Sequence, residues 1–241
     1  MVSPSPAITL LSVAATVSVA LYVVKQRAGA KPVAAKEPAT TTFSDGKKWD
    51  ADELIKHRRS IFPQDYDKSR KVSKEILEKI LESANWAPTH ARTEPWRFIV
   101  FSTPEALQRL GQFEADLYKK MVPPHMFMEK KYKKKIEAKL DSSYVIAICM
   151  KRQESEKLPE IEEVCATACA VQNLHLSAAG HGVGGYWSSG PPIFSNEMKE
   201  FLGLGEKDKC LGLFYVGYPK PGHVAHGARK SIKDKVQWVT K

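Results

Sequence analysis

Three short, almost continuously apolar runs place the tightest limit on how this chain can fold. They span residues 98–101, 144–150 and 210–218, and each has the length and composition of a buried strand. The glycine-rich stretch GGYWSSGPP, 184–192, is typical of a further strand or turn. Helical patterns lie between these runs, but they do not form the regular strand–helix–strand repeat of a parallel sheet. The sequence therefore predicts an α+β fold in which helices surround one sheet.

Local signals predict where several helices begin. Asp50 with Glu53 resembles a capping box, and Thr103 followed by Pro104 pairs a favoured N-cap with a favoured first helical residue. The other predicted helices lie at 72–84, in a Lys-rich region at about 114–140, in a small-residue segment at about 161–179, and near 195–202. Together with the strands they predict one folded domain at 49–241.

The N-terminus differs in character from the rest of the chain. Residues 7–24 carry no charge, and basic residues follow them. Because about 17 to 25 apolar residues span a bilayer as a helix, this run predicts a single-pass membrane anchor within 1–24. The basic residues after the run predict that the domain faces the cytosol, although organellar targeting stays an alternative. Residues 25–48 are small, polar and Pro-containing, which is typical of a flexible linker.

Charge and cysteine content narrow the function classes. The formal net charge of +10 suits nucleic acid, an anionic membrane or an anionic small molecule. No nucleic-acid motif is present, so we expect no nucleic-acid partner. Cysteines 149, 165, 169 and 210 lie in apolar or small-residue segments, which predicts buried free thiols. No His or further Cys lies at a convincing metal spacing, so we expect no metal site.

The stretch NWAPTHARTEPWRFIVF, 85–101, joins a helix to a strand through a polar loop. Four motifs occur in an order that resembles the nitroreductase family of FMN-dependent oxidoreductases. They are RRS at 58–60, this stretch, GVGGYWSSGP at 182–191, and GLFYVGYPKP with the later ARKSIKDKVQWV. The resemblance covers roughly residues 50–241 and is nearest to short single-domain bacterial members. It implies a nitroreductase-like fold, with a central mixed or antiparallel sheet surrounded by helices, and a homodimer whose flavin sites use both subunits.

The resemblance also implies how the phosphate of FMN is bound. Arg58 and Arg59 can grip a phosphate dianion with their guanidinium groups, and Ser60 adds a hydroxyl. Arg229 and Lys230 match the position at which the family supplies further phosphate contacts. The alternative for Arg58 and Arg59 is a solvated helix end favoured by the helix dipole.

Two loops are implied to meet the flavin ring. Pro88, Thr89 and His90 would lie along the ring, often that of the other subunit, and Arg92 stands where many members carry Asn. The stretch from Trp187 through Ser188 and Ser189 to Gly190 would contact the N5 edge by backbone N–H or hydroxyl groups. An ordinary loop histidine and a plain turn are the alternatives. The resemblance calls for no catalytic nucleophile or base, because hydride enters and leaves at flavin N5.

A second likeness is to the membrane-anchored iodotyrosine deiodinases, whose loop matches TEPW at 93–96. In that likeness Glu114 and Tyr118 would hold a zwitterionic substrate under a mobile cover, but Glu137 stands where a Lys is expected. The alternative for this Lys-rich region is a solvated basic helix face, which could also touch anionic lipid.

The sequence thus predicts an FMN-dependent oxidoreductase that NADPH or NADH reduces. It would reduce small electron-poor acceptors, such as nitroaromatics or quinones, by a ping-pong mechanism. Two alternatives remain, a reductive dehalogenase of halotyrosines and a membrane-tethered flavin-binding protein without turnover.

Overall fold

The computed structural model describes residues 39–42 and 48–241 of the chain. The described residues fall into two units, one within 40–226 and the other containing 227–241. The larger unit contains the sheet and all six described α-helices, and it is the unit that matters for the candidate site.

The described elements are the following. The helices are α1 (Ala51–His57), α2 (Lys74–Asn85), α3 (Pro104–Met121), α4 (Glu129–Leu140), α5 (Glu160–Gly180) and α6 (Asn196–Phe201). The strands are β1 (Ala39–Thr42), β2 (Trp96–Phe101), β3 (Tyr144–Met150), β4 (Gly184–Ser188), β5 (Lys209–Gly217) and β6 (Val224–Gly227). Short 3-10 turns span Pro63–Asp65, His90–Arg92, Pro124–Met126 and Ile232–Lys235.

The central sheet has four strands in the order β2-β3-β5-β4, and every neighbouring pair is antiparallel. Side chains of β3 alternate between two apolar cores. Ile146 and Ile148 pack toward α2 and α5, whereas Val145 and Ala147 pack toward α3 and α6. Both faces of the sheet are therefore covered by helices, which confirms the predicted α+β fold and explains why the central strands are continuously apolar.

The predicted helix starts are confirmed where the structure shows their caps. The Asp50 carboxylate accepts from the Glu53 backbone N–H at 2.8 Å, and the Thr103 hydroxyl accepts from Ala106 N–H at 3.2 Å. The Lys-rich region predicted as helical at about 114–140 holds the end of α3, which stops at Met121, and the whole of α4. Prolines 123 and 124 follow directly, and proline does not continue a helix.

The prediction of four buried cysteines is half wrong. Cys149 and Cys210 are buried in the sheet, but Cys165 and Cys169 are exposed on α5. Ile161 and Gln172 are exposed on the same side of this helix. Their spacing of three or four residues forms one stripe, so α5, the longest described helix, keeps a largely apolar face uncovered within one chain.

Residues 227–241 of the smaller unit are almost entirely exposed and contain Arg229 and Lys230. The predicted anchor at 7–24 and most of the predicted linker lie outside the described residues. Within 39–42 and 48–241, no helix combines the length and apolar character needed to cross a membrane.

Candidate active site

The arginine segment after α1 lies beside the edge strand of the sheet. The chain leaves α1 at Arg58, and Ser60 then forms a parallel bridge with Gly185 of β4. Ile61 N–H donates to the Gly185 carbonyl at 3.0 Å. A Cβ on Gly185 would lie 2.4 Å from Cζ of Phe214, so only glycine fits where the arginine segment meets the strand. The RRS motif at 58–60 therefore contacts the glycine pair 184–185 of β4.

His175 of α5 supports this segment from beneath and was not among the predicted site residues. Its Nε2 lies 3.2 Å from the Arg59 carbonyl, and its ring packs edge-on against Phe214 at 5.1 Å between centroids. A carbonyl oxygen only accepts, so Nε2 carries the proton. Burial, followed by the charge of Arg58, lowers the pKa of His175 to about 4. The imidazole is therefore neutral near pH 7, and the backbone beneath the two arginines is held by a neutral donor.

The stretch Trp187–Gly190 continues the same strand. Trp187 Nε1 donates to the Leu211 carbonyl at 3.1 Å, which fixes the indole against β5. Gly190 has a φ of +152°, a value that favours glycine, and a Cβ there would meet no atom within 4 Å. The backbone at Gly190 is therefore open to an incoming ligand. The structure brings the RRS and WSSG motifs together, at the start and the end of one five-residue strand.

The loop after α2 is compact and strained. Ala91, Arg92 and Glu94 have φ values of 48°, 54° and 43°, a left-handed conformation that is uncommon outside glycine. The hydroxyls of Thr89 and Thr93 lie 2.9 Å apart, and Glu94 N–H donates to Thr89 Oγ1 at 3.2 Å. These bonds hold the loop in a conformation that the backbone alone would not favour. Backbone strain of this kind is concentrated at functional sites, so it favours a functional role for this loop.

His90 joins the loop to the first turn of α5. Its Nδ1 lies 2.5 Å from Oε2 of Glu162, and a shallow groove of about 430 Å³ beside it is lined by Pro88, Thr89, Cys165 and Cys169, among others. Arg92 is exposed.

The His90 loop and the arginine segment contact different parts of α5 within one chain. His90 contacts α5 at Glu162, whereas Arg59 contacts α5 at His175, thirteen residues further on. At 1.5 Å per residue these contacts are about 20 Å apart along the helix axis.

The predicted substrate residues lie in the α3–α4 pair. Glu114 is buried, and its two carboxylate oxygens accept from the ammonium groups of Lys135, at 2.5 Å, and of Lys139. Burial raises the pKa of the Glu114 carboxyl, but the charges of Lys139 and Lys135 outweigh burial and hold that pKa below its ordinary value. Tyr118 Oη accepts from the Met128 N–H at 3.1 Å.

The lysine partners of Glu114 affect its predicted role in holding a substrate ammonium. Both oxygens of Glu114 already have lysine partners, so a substrate ammonium would have to displace them. Glu137 is exposed and lines a different groove, of about 610 Å³, with Lys130, Lys133 and Lys134. The lysines that meet Glu114 are one turn of α4 apart, and the sequence did not show which lysines face inward.

Comparison with known proteins places the fold and the motifs in context. A Bacillus subtilis (strain 168) protein provisionally described as the NAD(P)H nitroreductase YfhC is 30% identical over 167 residues, which cover 69% of this chain and 83% of YfhC. A solved nitroreductase-like structure in complex with FMN, from Exiguobacterium sibiricum, has a TM-score of 0.62 and 21% identity, and it covers 82% of this chain and 100% of its own.

The second likeness noted in the sequence also has a counterpart. Iodotyrosine deiodinase 1 of Rattus norvegicus is 25% identical over 197 residues, which cover 76% of this chain and 67% of that protein. The sequence profile of the Nitroreductase family matches residues 55–218, a range that holds both ring-binding loops, the arginine segment and all four strands of the central sheet. The chain therefore belongs to the nitroreductase family, an oxidoreductase family.

Proposed function

We propose that this protein is an FMN-dependent NAD(P)H oxidoreductase that reduces small electron-poor acceptors, such as nitroaromatics or quinones, in two half-reactions. The observation that carries the proposal is the contact between the arginine segment and β4. The backbone of this segment, which carries Arg58 and Arg59, meets one end of a strand whose other end leads to the uncovered backbone of Gly190. A ligand with an anionic group and a flat polar-edged ring suits this pair of features.

The arginine segment fits the phosphate end of FMN. Arg58 and Arg59 are half-buried, so solvent screens their charges less than it screens those of surface arginines. Ser60, which follows them, is exposed. His175 holds the Arg59 carbonyl and thereby fixes the backbone from which both side chains extend. Arg229 and Lys230 remain predicted phosphate contacts from the C-terminal segment.

The end of β4 fits the ring. Trp187 is fixed by its bond to Leu211, so the backbone that follows it has a defined path to Gly190. Backbone N–H groups and the hydroxyls of Ser188 and Ser189 can donate to a ring edge there. Bound there, FMN would supply the hydride chemistry that links NADPH or NADH to the acceptor. The residues of this chain would bind and orient the cofactor, and no side-chain nucleophile is required.

A homodimer would complete the site. The 20 Å offset along α5 separates the His90 loop from the arginine segment in one chain. Two α5 helices packed antiparallel through their exposed stripe would bring the His90 loop of one chain close to the arginine segment of the other. A two-fold symmetric pair makes this contact twice, so both sites are completed together.

The test is flavin content and affinity of the full chain purified in detergent. We expect a yellow protein with FMN near one per chain, and Arg59→Ala should weaken FMN binding about 10- to 100-fold, the loss of one charge-assisted contact. Arg109→Ala, which removes an exposed guanidinium from α3, is the matched control and should leave the affinity unchanged. A protein that stays colourless in excess FMN would rule out the proposal. An unchanged affinity in Arg59→Ala would reject only the phosphate assignment.

Acceptor choice is tested by reoxidation of the reduced protein. A nitroaromatic or quinone needs only stacking, whereas a halotyrosine brings an ammonium and a carboxylate that each need a partner in a dry site. Glu114 is engaged by two lysines, so we expect faster reoxidation by the simple acceptors than by diiodotyrosine. Tight diiodotyrosine binding with iodide release would favour the dehalogenase instead.

A further inference from the structure

One segment of the larger unit, at the end of α3 and the start of α4, concentrates positive charge. Residues 119–134, from the end of α3 to the second turn of α4, contain six lysines and one acidic residue, Glu129, which gives a net charge of +5. This is half of the formal net charge of the whole chain in sixteen residues. All six lysines are exposed: Lys119, Lys120, Lys130, Lys131, Lys133 and Lys134. We call residues 119–134 the basic surface.

Apolar side chains are exposed among these lysines. Met121, Met126 and Met128 are 44%, 60% and 47% exposed. They occupy the end of α3 and the connection to α4, between the two groups of lysines along the chain. Exposed large apolar side chains bounded by charge on both sides are typical of an interaction surface.

The inner side of the same region is firmly held. Lys135 and Lys139 point inward to Glu114, and Tyr132 accepts from Gln112 at 2.6 Å and donates to Asp116 at 2.7 Å. Because these bonds fix α4 against α3, the outward lysines and methionines are presented on a rigid support.

Among the described residues, most of the six lysines form no ion pair. Lys120 pairs with Glu197 at 2.9 Å and Lys133 lies 3.7 Å from Glu129. In the part of the chain that the structure describes, Lys130, Lys131 and Lys134 form no ion pair. Nothing in the proposed redox chemistry uses these three charges.

We propose that the basic surface binds the face of an anionic phospholipid bilayer. Lysines attract anionic headgroups, and methionine side chains can enter the boundary between headgroups and acyl chains. A nucleic acid would also attract the lysines, but its phosphate backbone offers no apolar layer for three exposed methionines. The proposal rests on the larger unit alone and does not depend on whether residues 7–24 span a membrane.

Methionine oxidation by hydroxyl radicals gives a direct test with the full chain loaded with FMN. The protein is mixed with vesicles of phosphatidylcholine, or with vesicles that also contain phosphatidylserine, and the oxidation rates of Met121, Met126 and Met128 are measured by mass spectrometry. We expect these rates to be several-fold slower with the anionic vesicles, whereas the buried Met150 and Met198 should not respond to vesicle composition.

Charge variants make the test specific. Each lysine near an anionic surface contributes about fivefold to binding, so K130Q/K131Q/K134Q should weaken vesicle binding about 100-fold and remove most of the methionine protection. The matched control K71Q/K79Q/K157Q removes three exposed lysines elsewhere and should keep most of the methionine protection. Both variants should retain the flavin spectrum, which reports an intact fold.

Three results would overturn the proposal. The first is equal methionine oxidation with neutral and anionic vesicles. The second is an equal loss of protection in the control variant, because that would mean that overall charge and not this surface is responsible. The third is stronger protection of the same methionines by duplex DNA than by anionic vesicles, which would identify a nucleic-acid surface.

Discussion

His175 should make the stability of this protein depend on pH in a window set by one buried imidazole. Its pKa is lowered to about 4 from an ordinary value of 6.5, first by burial and then by the charge of Arg58. In the unfolded chain His175 therefore takes up a proton below about pH 6.5, whereas in the folded protein it does so only below about pH 4. Stability is full above the unfolded pKa and falls as the pH drops through this window.

The shift sets the magnitude of the effect. A difference of about 2.5 pKa units at 1.36 kcal/mol per unit corresponds to about 3 kcal/mol of unfolding free energy between pH 7 and pH 4. The side chain is only 7% exposed, so solvent screens this effect little. Since 1 kcal/mol moves the melting temperature of a domain of this size by about 2 to 4 °C, the contribution is easily measured.

The assay is urea unfolding of wild type and His175→Gln between pH 4 and pH 8. The glutamine amide can donate to the Arg59 carbonyl but does not titrate, so the variant should lose about 3 kcal/mol less than wild type on acidification. His181→Gln removes an exposed histidine at the end of α5 and should keep the wild-type slope. Equal slopes for wild type and His175→Gln would refute the reasoning, because the titration would then belong to other groups.

Three further predictions follow from other parts of the chain. Glu114→Gln leaves the ammonium of Lys139 buried without its carboxylate, so it should lower the free energy of unfolding in urea by about 3 to 5 kcal/mol. Lys139→Met leaves the Glu114–Lys135 pair and should lower it clearly less, and equal losses would contradict this account. Gly185→Ala should destabilise the protein by about 1 to 3 kcal/mol and weaken FMN binding, whereas Gly180→Ala, whose added Cβ meets only Leu54 at 3.8 Å, should be neutral or stabilising in the same melts. Residues 7–24 should make the full chain resistant to carbonate extraction with its domain facing the cytosol; a mature N-terminus after Val24, or protection of the domain from protease added on the cytosolic side, would disprove it.

The fold was predictable because its main signals are local. The strand runs at 144–150 and 210–218 are apolar on both faces, and that pattern directly reports a sheet covered on both sides. Proline and capping residues marked the helix starts. Cys165 and Cys169 were misjudged because composition does not say which side of a small-residue helix is covered, and one side of α5 is not.

The site was harder to predict because its contacts join distant residues. The motifs identified Arg58 and Arg59, but nothing near them in sequence indicated that His175 would hold their backbone. Periodicity showed that Glu114 and Tyr118 share a face of α3, but it did not show that lysines of α4 would take up the carboxylate. A residue that acts through tertiary contact leaves little trace in a single sequence.

The position of His175 also explains why α5 is central to the proposed function. One end of this helix holds the strained loop through Glu162, and the other end holds the arginine segment through His175. Its inner face is packed against the sheet and α2, so neither contact can shift without disturbing the core. Because the two contacts are about 20 Å apart, a single chain fixes both loops but does not join them. The exposed stripe of α5 is the surface through which a second copy could join them, and flavin binding and dimer formation should then be lost together.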